Sequence, residues 1–300
     1  MRIAVTGASG FLGRRLVSRL IGAGRNVNVL GRSPKTGLPP EARFFLWDPN
    51  KAPPTAASLE GCQAVLHLAG EPVAQRWTPE VKRRIRDSRV EGTRRMVEGM
   101  ASLDRKPSTL IAASAVGFYG DCGDEILDES SPAGKGFLPE TCLEWENASR
   151  LAQSLGVRVV LLRIGVVLDQ RGGALARMLP IFRLGLGGRL GSGQQWMPWV
   201  HLGDLLDLIE FAIVKSSLKG PVNACSPNPV TNSDFTLALG RALHRPALLP
   251  VPRTALRLLY GEMSDILFDS QRVIPKAAQQ GGFEFGHPEL FAALKDVVAS

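Results

Sequence analysis

The fold is decided by one stretch near the start of the chain, Val5-Thr6-Gly7-Ala8-Ser9-Gly10-Phe11-Leu12-Gly13. It follows an apolar run that is typical of a buried strand, and it leads into a helical pattern whose leucines share one face. In such a turn Gly7 bends the chain, Gly10 lets the backbone approach a pyrophosphate, and Gly13 lets the helix pack against the strand. Because free N–H groups at a helix start bind phosphates, we expect dinucleotide contacts from Gly7, Ser9, Gly10, Phe11 and Leu12.

Short β-branched runs alternate with longer helical patterns through the first half of the chain. This order is expected of parallel strands joined by crossover helices. The predicted strands are Arg2 to Thr6, Val27 to Leu30, Phe44 to Trp47, Ala64 to Leu68, Thr109 to Ala113 and Arg158 to Ile164, with Val222 to Ala224 as a further candidate. Several are apolar on both sides of the alternation, as a sheet covered on both faces requires. We therefore predict an α/β fold with a doubly wound parallel sheet (Rossmann fold) and a smaller C-terminal lobe on the substrate side.

The residue composition of the chain changes after Asp169, where glycines and then prolines become frequent. A strand-like stretch at Trp199 to His201 and a helix from about Asp204 to Val214 return to the earlier pattern. We predict a nucleotide-binding domain and a smaller substrate-side lobe, formed respectively by residues 1–170 with 199–225 and by residues 171–198 with 226–300.

The net charge of the chain is compatible with several classes of binding partner. The 300 residues include 36 Lys and Arg against 28 Asp and Glu, a net charge of +8. This charge is compatible with nucleic acid, an acidic membrane surface or a phosphorylated small molecule. The densest basic run, Lys82 to Arg89, has no interleaved aromatic residues for base stacking. We therefore expect a small-molecule substrate of unknown identity and no nucleic acid.

Cysteine usage and hydropathy exclude further classes. The four cysteines lie far apart, without metal-ligand spacing, so we predict neither a disulfide framework nor a metal site. No stretch approaches the roughly 20 apolar residues that span a membrane, and the N-terminal residues predict a strand rather than a signal peptide. We expect a cytoplasmic protein with no membrane partner, and the oligomeric state stays open.

The end of the second predicted strand bears on the cofactor. An NAD enzyme usually has an acidic residue there for the ribose hydroxyls, whereas this chain has Gly31-Arg32-Ser33. Arg32 offers a planar guanidinium to a 2′-phosphate, and Ser33 offers a further donor. The alternative is a solvated loop arginine. We predict NADP(H) rather than NAD.

Several motifs carry a resemblance to a known family. The spacing of the first three glycines, Leu68-Ala69-Gly70 and Ser114 to Gly120 resemble the extended or atypical short-chain dehydrogenase/reductases, the class of the nucleotide-sugar epimerases. Over essentially the whole chain, the sequence is similar to the epimerase family proteins of short-chain dehydrogenase/reductase family 39U. The stretches that carry this closer resemblance include His67 to Val73, Ser88-Arg89, Trp145-Glu146, Gly165 to Leu168, Phe182 to Gly188 and Trp199 to His201.

This resemblance implies NADPH binding and an oxidoreductase or nucleotide-sugar epimerase whose substrate is not established. It also implies positions for the cofactor-binding residues. Gly31 and Arg32 would meet the adenosine phosphate, and Arg84 and Arg89 would reach toward the cofactor phosphates. The residues that would line the cofactor are Leu68, Ala69, Gly70 and Val167.

The catalytic pair of the class is replaced in this chain. The class uses a tyrosine acid/base and a lysine four residues later, whose charge lowers the tyrosine pKa. Here the two positions fall on Cys142 and Glu146, so the usual proton relay cannot operate. Two functions stay open: an NADP-dependent enzyme with a different relay, or a catalytically inactive NADPH-binding sensor or regulatory protein.

Three residues are candidates for catalysis: Ser114, Tyr119 and Glu146. Ser114 occupies the place of the class serine that contacts the reacting oxygen, and hydrogen bonding within its loop is the alternative. Tyr119 either transfers protons or packs beside the substrate cleft. Glu146 is a general base if burial raises its pKa, or else a solvated helix residue. Cys142 fits a buried structural cysteine better than a reactive thiol.

Two further groups have competing structural interpretations. Asp204 is expected to be a helix N-cap, which leaves His201 more consistent with a structural role than with catalysis. Trp196 and Trp199, with the glycine-rich residues 185–193, predict either a flexible lid or core packing.

Overall fold

The architecture comes from a computed structural model that describes residues 1–34 and 37–299. Within these ranges the strands are β1 Arg2–Thr6, β2 Asn26–Gly31, β3 Arg43–Leu46, β4 Ala64–His67, β5 Thr109–Ala115, β6 Ile126–Leu127, β7 Arg158–Ile164, β8 Val166–Leu168, β9 Trp196–Met197, β10 Trp199–His201, β11 Gly220–Ala224, β12 Val230–Thr231 and β13 Arg272–Val273. The α-helices are α1 Phe11–Gly22, α2 Ala56–Leu59, α3 Pro79–Ala101, α4 Phe137–Arg150, α5 Gly173–Arg183, α6 Leu202–Val214, α7 Asn232–Ala242, α8 Arg253–Tyr260, α9 Lys276–Gln280 and α10 Leu290–Ala299.

Seven parallel strands form the central sheet, in the order β11-β7-β5-β4-β1-β2-β3. The chain order reverses beside β1, whose two neighbours are β2 and β4. In doubly wound sheets, ligands bind at the carboxyl ends of the strands next to such a reversal. The predicted doubly wound parallel sheet is confirmed, and its strand ends differ from the expected ones by at most two residues.

Helices cover both faces of this sheet. On β1, Ile3 and Val5 pack into an apolar cluster with α1 and α6, whereas Ala4 packs into a cluster on the other face with Met96 of α3. Ile3 and Val5 are fully buried, and burying such a side chain contributes about 1.5–3 kcal/mol. The two clusters together hold the carboxyl end of β1, where the glycine loop begins.

A third apolar cluster lies outside the central sheet. It joins α5, α7 and α10 to β8 and β10, which pair with each other in parallel. Trp199 is buried in this cluster, and its Nε1 donates to Asn228 O at 3.2 Å. Trp196 is half-buried, and its Nε1 donates to Asp124 Oδ1 at 2.8 Å. Of the two interpretations of these tryptophans, core packing therefore holds for Trp199.

Over residues 1–34 and 37–299, none of the helices combines the length and the apolar character that a membrane crossing needs.

Candidate cofactor and active site

The glycine loop is packed too closely for side chains. Gly7 has a φ of +70°, and a Cβ added there would lie 2.7 Å from the backbone carbonyl of Leu68. A Cβ added to Gly13 would lie 2.2 Å from Gly7 O. The N–H of Gly10 donates to Gly7 O at 2.9 Å and closes the turn. Only glycine fits at positions 7 and 13, so β1, the loop and β4 can meet without side chains between them.

Helix α1 presents an open N-terminus beside this loop. Gly10 is its N-cap, so no side chain bonds to the first N–H groups, and the first turn holds no acidic residue. Ser9 and Gly10 are exposed, whereas the ring of Phe11 packs on Gly172. The unsatisfied N–H groups and the helix dipole make this end attractive to an anion.

A buried hydrogen-bond network supports the loop. Thr6 Oγ1 accepts the N–H of Leu68 at 3.1 Å and the N–H of Ala69 at 3.2 Å. Its own proton goes to His67 Nδ1 at 2.9 Å, so the imidazole proton sits on Nε2, which lies 3.1 Å from Thr93 Oγ1. Burial lowers the pKa of His67 to about 4. The ring is therefore neutral at pH 7 and holds the backbone that closes over Gly7.

The carboxyl end of β2 carries a positive charge. β2 ends at Gly31, and Arg32 and Ser33 are exposed beyond it. In the described parts of the chain, Arg32 takes part in no ion pair. A guanidinium without an acidic partner suits a phosphate. Together with the close-packed glycines and the uncapped helix, these residues fit a dinucleotide that carries an additional phosphate.

Other residues expected to touch the cofactor surround this crevice. Leu68 and Val167 are partly buried against the apolar cluster of α1 and α6. Arg89 Nη1 donates to two backbone carbonyls at 3.0 Å, and its guanidinium carbon lies 3.3 Å from the place of a Cβ on Gly70. Desolvation lowers the pKa of Arg89. Arg84 is exposed, and its Nε lies 3.6 Å from Glu71 Oε1. Arg89 is thus anchored to the backbone, and its contact with cofactor phosphates stays a prediction.

Ser114 and Glu146 form one buried unit with Arg163. Ser114 Oγ donates to Glu146 Oε1 at 2.9 Å. Arg163 holds both oxygens of the same carboxylate, with Nε 2.8 Å from Oε1 and Nη2 3.0 Å from Oε2. Arg150 adds a bond to Oε2 at 3.1 Å. Because Glu146 is only 1% exposed, the alternative of a solvated helix residue is wrong. These hydrogen bonds fix the position of the Glu146 carboxylate.

Tyr119 belongs to the same buried network. Its hydroxyl accepts the Nη1 proton of Arg163 at 2.9 Å and lies 2.7 Å from Asn223 Oδ1, to which it donates. The side chain is fully buried. Burial raises the pKa of Tyr119 to about 12, although Arg163 opposes the shift. Tyr119 keeps its proton at neutral pH and holds Arg163 from the side opposite Glu146.

The assignment of Asp204 as the N-cap of α6 is wrong. The cap is His201, whose Nδ1 accepts the N–H of Gly203 at 3.1 Å. Asp204 instead accepts the N–H groups of Gly286 and His287, at 3.2 and 2.9 Å. His201, Asp204 and His287 offer ligand atoms within 4.8 Å of one another, but backbone N–H groups already use His201 Nδ1 and both carboxylate oxygens. The cluster therefore ties α6 to the segment before α10, which agrees with a structural histidine.

Sequence reasoning missed the roles of Thr6, His67 and Arg163. Arg163 did carry a signal, because a charged residue inside an apolar strand of a covered sheet needs a buried partner. The Thr6 to His67 contact joins residues 61 positions apart, and the sequence around neither residue indicates this contact.

Comparison with known proteins decides the family. The model of the NAD dependent epimerase/dehydratase family matches residues 3–225. The chain belongs to this family. A second model, a domain of unknown function (DUF1731), matches residues 251–297.

Relatives of this epimerase/dehydratase family member match it along its whole length. An epimerase family protein of Mycobacterium bovis is 43% identical over 294 residues, which cover 97% of this chain and 96% of the relative. The SDR39U1 homolog, chloroplastic, of Arabidopsis thaliana is 41% identical over 302 residues, covering 99% and 87%. The crystal structure of human epimerase family protein SDR39U1 (isoform 2) with NADPH has a TM-score of 0.90 at 33% identity and covers both chains fully. The resemblance inferred from the motifs is confirmed.

In this epimerase/dehydratase chain, the positions of the expected tyrosine and lysine hold a neutral thiol and a buried ion pair. Cys142 is 4% exposed, and burial raises its pKa to about 12, against the opposing effect of Arg89. The expectation of a buried structural cysteine is therefore confirmed. Glu146 contributes a negative charge that Arg163 neutralises, so neither position supplies a cation for a proton relay.

Proposed function

We propose that the protein binds NADPH at the carboxyl ends of β1, β2 and β4 and uses it as an oxidoreductase or nucleotide-sugar epimerase on a small molecule. One observation carries the choice of cofactor: a close-packed glycine loop and an uncapped helix lie beside β2, which ends at Gly31 and is followed by Arg32 rather than by an acidic residue. The human relative crystallised with NADPH supports the same choice.

The cofactor would be held from three sides. The loop residues Gly7, Ser9, Gly10, Phe11 and Leu12 would take the pyrophosphate through backbone N–H groups. Gly31, Arg32 and Ser33 would take the adenosine 2′-phosphate. The residues proposed for the rest of the molecule are Leu68, Ala69, Gly70, Arg84, Arg89 and Val167. When bound, NADPH supplies a hydride, or NADP⁺ accepts one.

Ser114 is the proposed catalytic residue, because the class serine touches the reacting oxygen. Its proton is already donated to Glu146, so its lone pairs are left to accept a hydrogen bond from a substrate hydroxyl. Glu146 is a positioning residue in this proposal, because it accepts the Ser114 proton directly. Tyr119 is a positioning residue one step further away, because it accepts from Arg163, which in turn holds Glu146. This arrangement favours a substrate that presents a hydroxyl group at the reacting carbon.

A redox-inactive NADPH sensor is the second candidate. It is favoured by the neutral thiol at Cys142, whose pKa of about 12 leaves no thiolate to act as a base. Membership of an epimerase/dehydratase family favours the enzyme.

Hydride transfer distinguishes the two functions. The purified protein with NADPH or NADP⁺ is incubated with panels of nucleotide sugars, simple carbonyls and alcohols while nicotinamide absorbance is followed. The enzyme predicts a substrate-dependent change that Ser114→Ala lowers by about 10²-fold in kcat, since a lost contact to a reacting oxygen has effects of this order. A matched control is Ser154→Ala, because Ser154 is a residue outside the site that bonds to Leu151 O. Cofactor binding without turnover of any panel would favour the sensor.

The location and domain division remain part of the proposal. We keep the cytoplasm as the expected compartment, although the Arabidopsis relative is named chloroplastic. The nucleotide-binding domain of residues 1–170 with 199–225 and the substrate-side lobe of residues 171–198 with 226–300 are likewise proposed. Limited proteolysis with and without NADPH tests the division, because the bound cofactor should protect the first of these two units.

A further inference from the structure

Two segments, residues 170–203 and 235–261, have an unbalanced positive charge. Neither contains an aspartate, a glutamate or a lysine, and together they carry eight arginines: Arg171, Arg177, Arg183, Arg189, Arg241, Arg245, Arg253 and Arg257. The remaining 28 basic residues equal the 28 acidic ones in number. All eight arginines are exposed. Within these two segments no acidic residue offsets the positive charge.

The two segments run side by side in the structure. The N–H of Val251 donates to Arg189 O at 2.8 Å, and Arg245 Nε donates to Arg183 O at 3.0 Å. Gly188 touches the backbone of Leu249 so closely that a Cβ added to it would lie 1.6 Å from Leu249 O. Helix α8 follows this contact directly. Arg183, Arg189 and Arg245 thus lie where the two segments meet.

Large aliphatic side chains are exposed in the same region. Each is more than half exposed; they are Ile181, Leu184, Leu186, Leu248, Leu249, Leu258 and Leu259. Helix α8 has no buried residue at all, although half of its residues are apolar. Groups of exposed apolar side chains rimmed by polar residues mark interaction sites. We call these seven side chains, together with Arg183, Arg189, Arg245 and Arg257, the Leu/Arg surface.

We propose that the Leu/Arg surface docks on an anionic lipid bilayer. Leucines enter the boundary between headgroups and acyl chains, and arginines beside them bind anionic headgroups, which is how amphipathic surface helices attach to membranes. No segment needs to cross the bilayer. The earlier expectation of no membrane partner rested on the lack of a spanning segment and on the N-terminal pattern, and a surface contact is compatible with both.

Two other occupants fit the chemistry less well. A second copy of the chain packed through the same surface would bring two sets of arginines together without acidic partners, which is costly. The arginines could bind the phosphates of a nucleic acid, but the exposed leucines offer no stacking surface for its bases. An anionic bilayer can contact both the aliphatic side chains and the arginines of the Leu/Arg surface.

Vesicle co-sedimentation tests the proposal. The full chain is mixed with phosphatidylcholine vesicles that contain or lack phosphatidylserine, at low and high salt. We expect binding that requires phosphatidylserine and weakens with salt. Leu258→Glu with Leu259→Glu removes apolar contact and adds negative charge, so this double variant should lower partitioning by roughly tenfold or more. Removing three charges, Arg183→Gln, Arg189→Gln and Arg257→Gln, should lower it about a hundredfold, since each arginine contributes about fivefold at an anionic surface.

The matched control carries Leu151→Glu and Val214→Glu, two exposed aliphatic residues outside both segments, and it should bind like the wild type. Circular dichroism melts check that each variant is folded, and the lipid and salt dependence of the wild type tests the idea without any variant. Three results would overturn the proposal: no binding to anionic vesicles, equal binding by all variants, or binding of RNA or self-association through these residues in place of vesicle binding.

Discussion

Acidification should destabilise the protein through His67, by an amount that follows from its burial. The imidazole is fully buried with a pKa of about 4, against 6.5 for an unperturbed ring. Between these values the unfolded chain binds a proton that the folded chain does not. The stabilising effect of the neutral ring is therefore complete above pH 6.5 and is lost as the pH falls toward 4. At pH 5, the difference between the pH and the unperturbed pKa of 6.5 corresponds to a loss of about 2 kcal/mol in the free energy of unfolding.

Urea unfolding at pH 7 and pH 5 measures this loss, and His67→Gln removes the titrating group. Other groups titrate in the same range: burial raises the pKa of Asp269 to about 6, which adds stability as the pH falls. The prediction therefore concerns the difference between the two proteins. The wild type should lose about 2 kcal/mol more than His67→Gln between pH 7 and pH 5. Equal losses would refute the assignment of a buried neutral ring.

The remaining predictions concern the loop and the buried ion pair. Gly13→Ala places a Cβ 2.2 Å from Gly7 O, so calorimetric titration should show at least tenfold weaker NADPH binding, with about 1–3 kcal/mol lost in unfolding. Gly22→Ala in the same helix, where nothing lies within 4 Å of the added Cβ, should leave NADPH binding unchanged and should not lower the free energy of unfolding, because alanine favours a helix more than glycine does. An equal defect in both variants would contradict the steric argument. Glu146→Gln leaves Arg163 without its buried anionic partner, and urea unfolding should show a loss of about 3–5 kcal/mol. Glu91→Gln, which breaks an exposed pair with Arg94, should cost under about 1 kcal/mol.

The sheet could be predicted from sequence because its information is local. Most of the seven strands are short runs rich in apolar residues, and the glycine spacing after β1 indicates both the turn and the helix. The N-cap of α6 could not be predicted in this way. Local propensity favours Asp204, but its carboxylate is drawn to Gly286 and His287, 82 and 83 residues away, and His201 takes the capping role.

The candidate site could be predicted only in part, for the same reason. Ser114 and Glu146 were found separately, through a resemblance to a family, and the hydrogen bond that joins them spans 32 residues. Arg163 lies on a third element, β7, and explains why a glutamate is tolerated in the buried side of α4. Pairing between such elements depends on the packing of helices on the sheet, which no single stretch of sequence encodes.

Cofactor selectivity tests the central claim most directly. Cofactor-stripped protein is titrated calorimetrically with NADPH and with NADH, in the wild type, in Arg32→Ala and in Arg105→Ala. Arg105 is an exposed arginine in the loop that enters β5, at the amino ends of the parallel strands and away from their carboxyl ends. We predict that the wild type and Arg105→Ala prefer NADPH, and that Arg32→Ala loses about 10- to 100-fold in NADPH affinity with little change for NADH, as expected for a lost charged hydrogen bond. Failure to bind either dinucleotide, or an NADPH preference that survives Arg32→Ala, would contradict it.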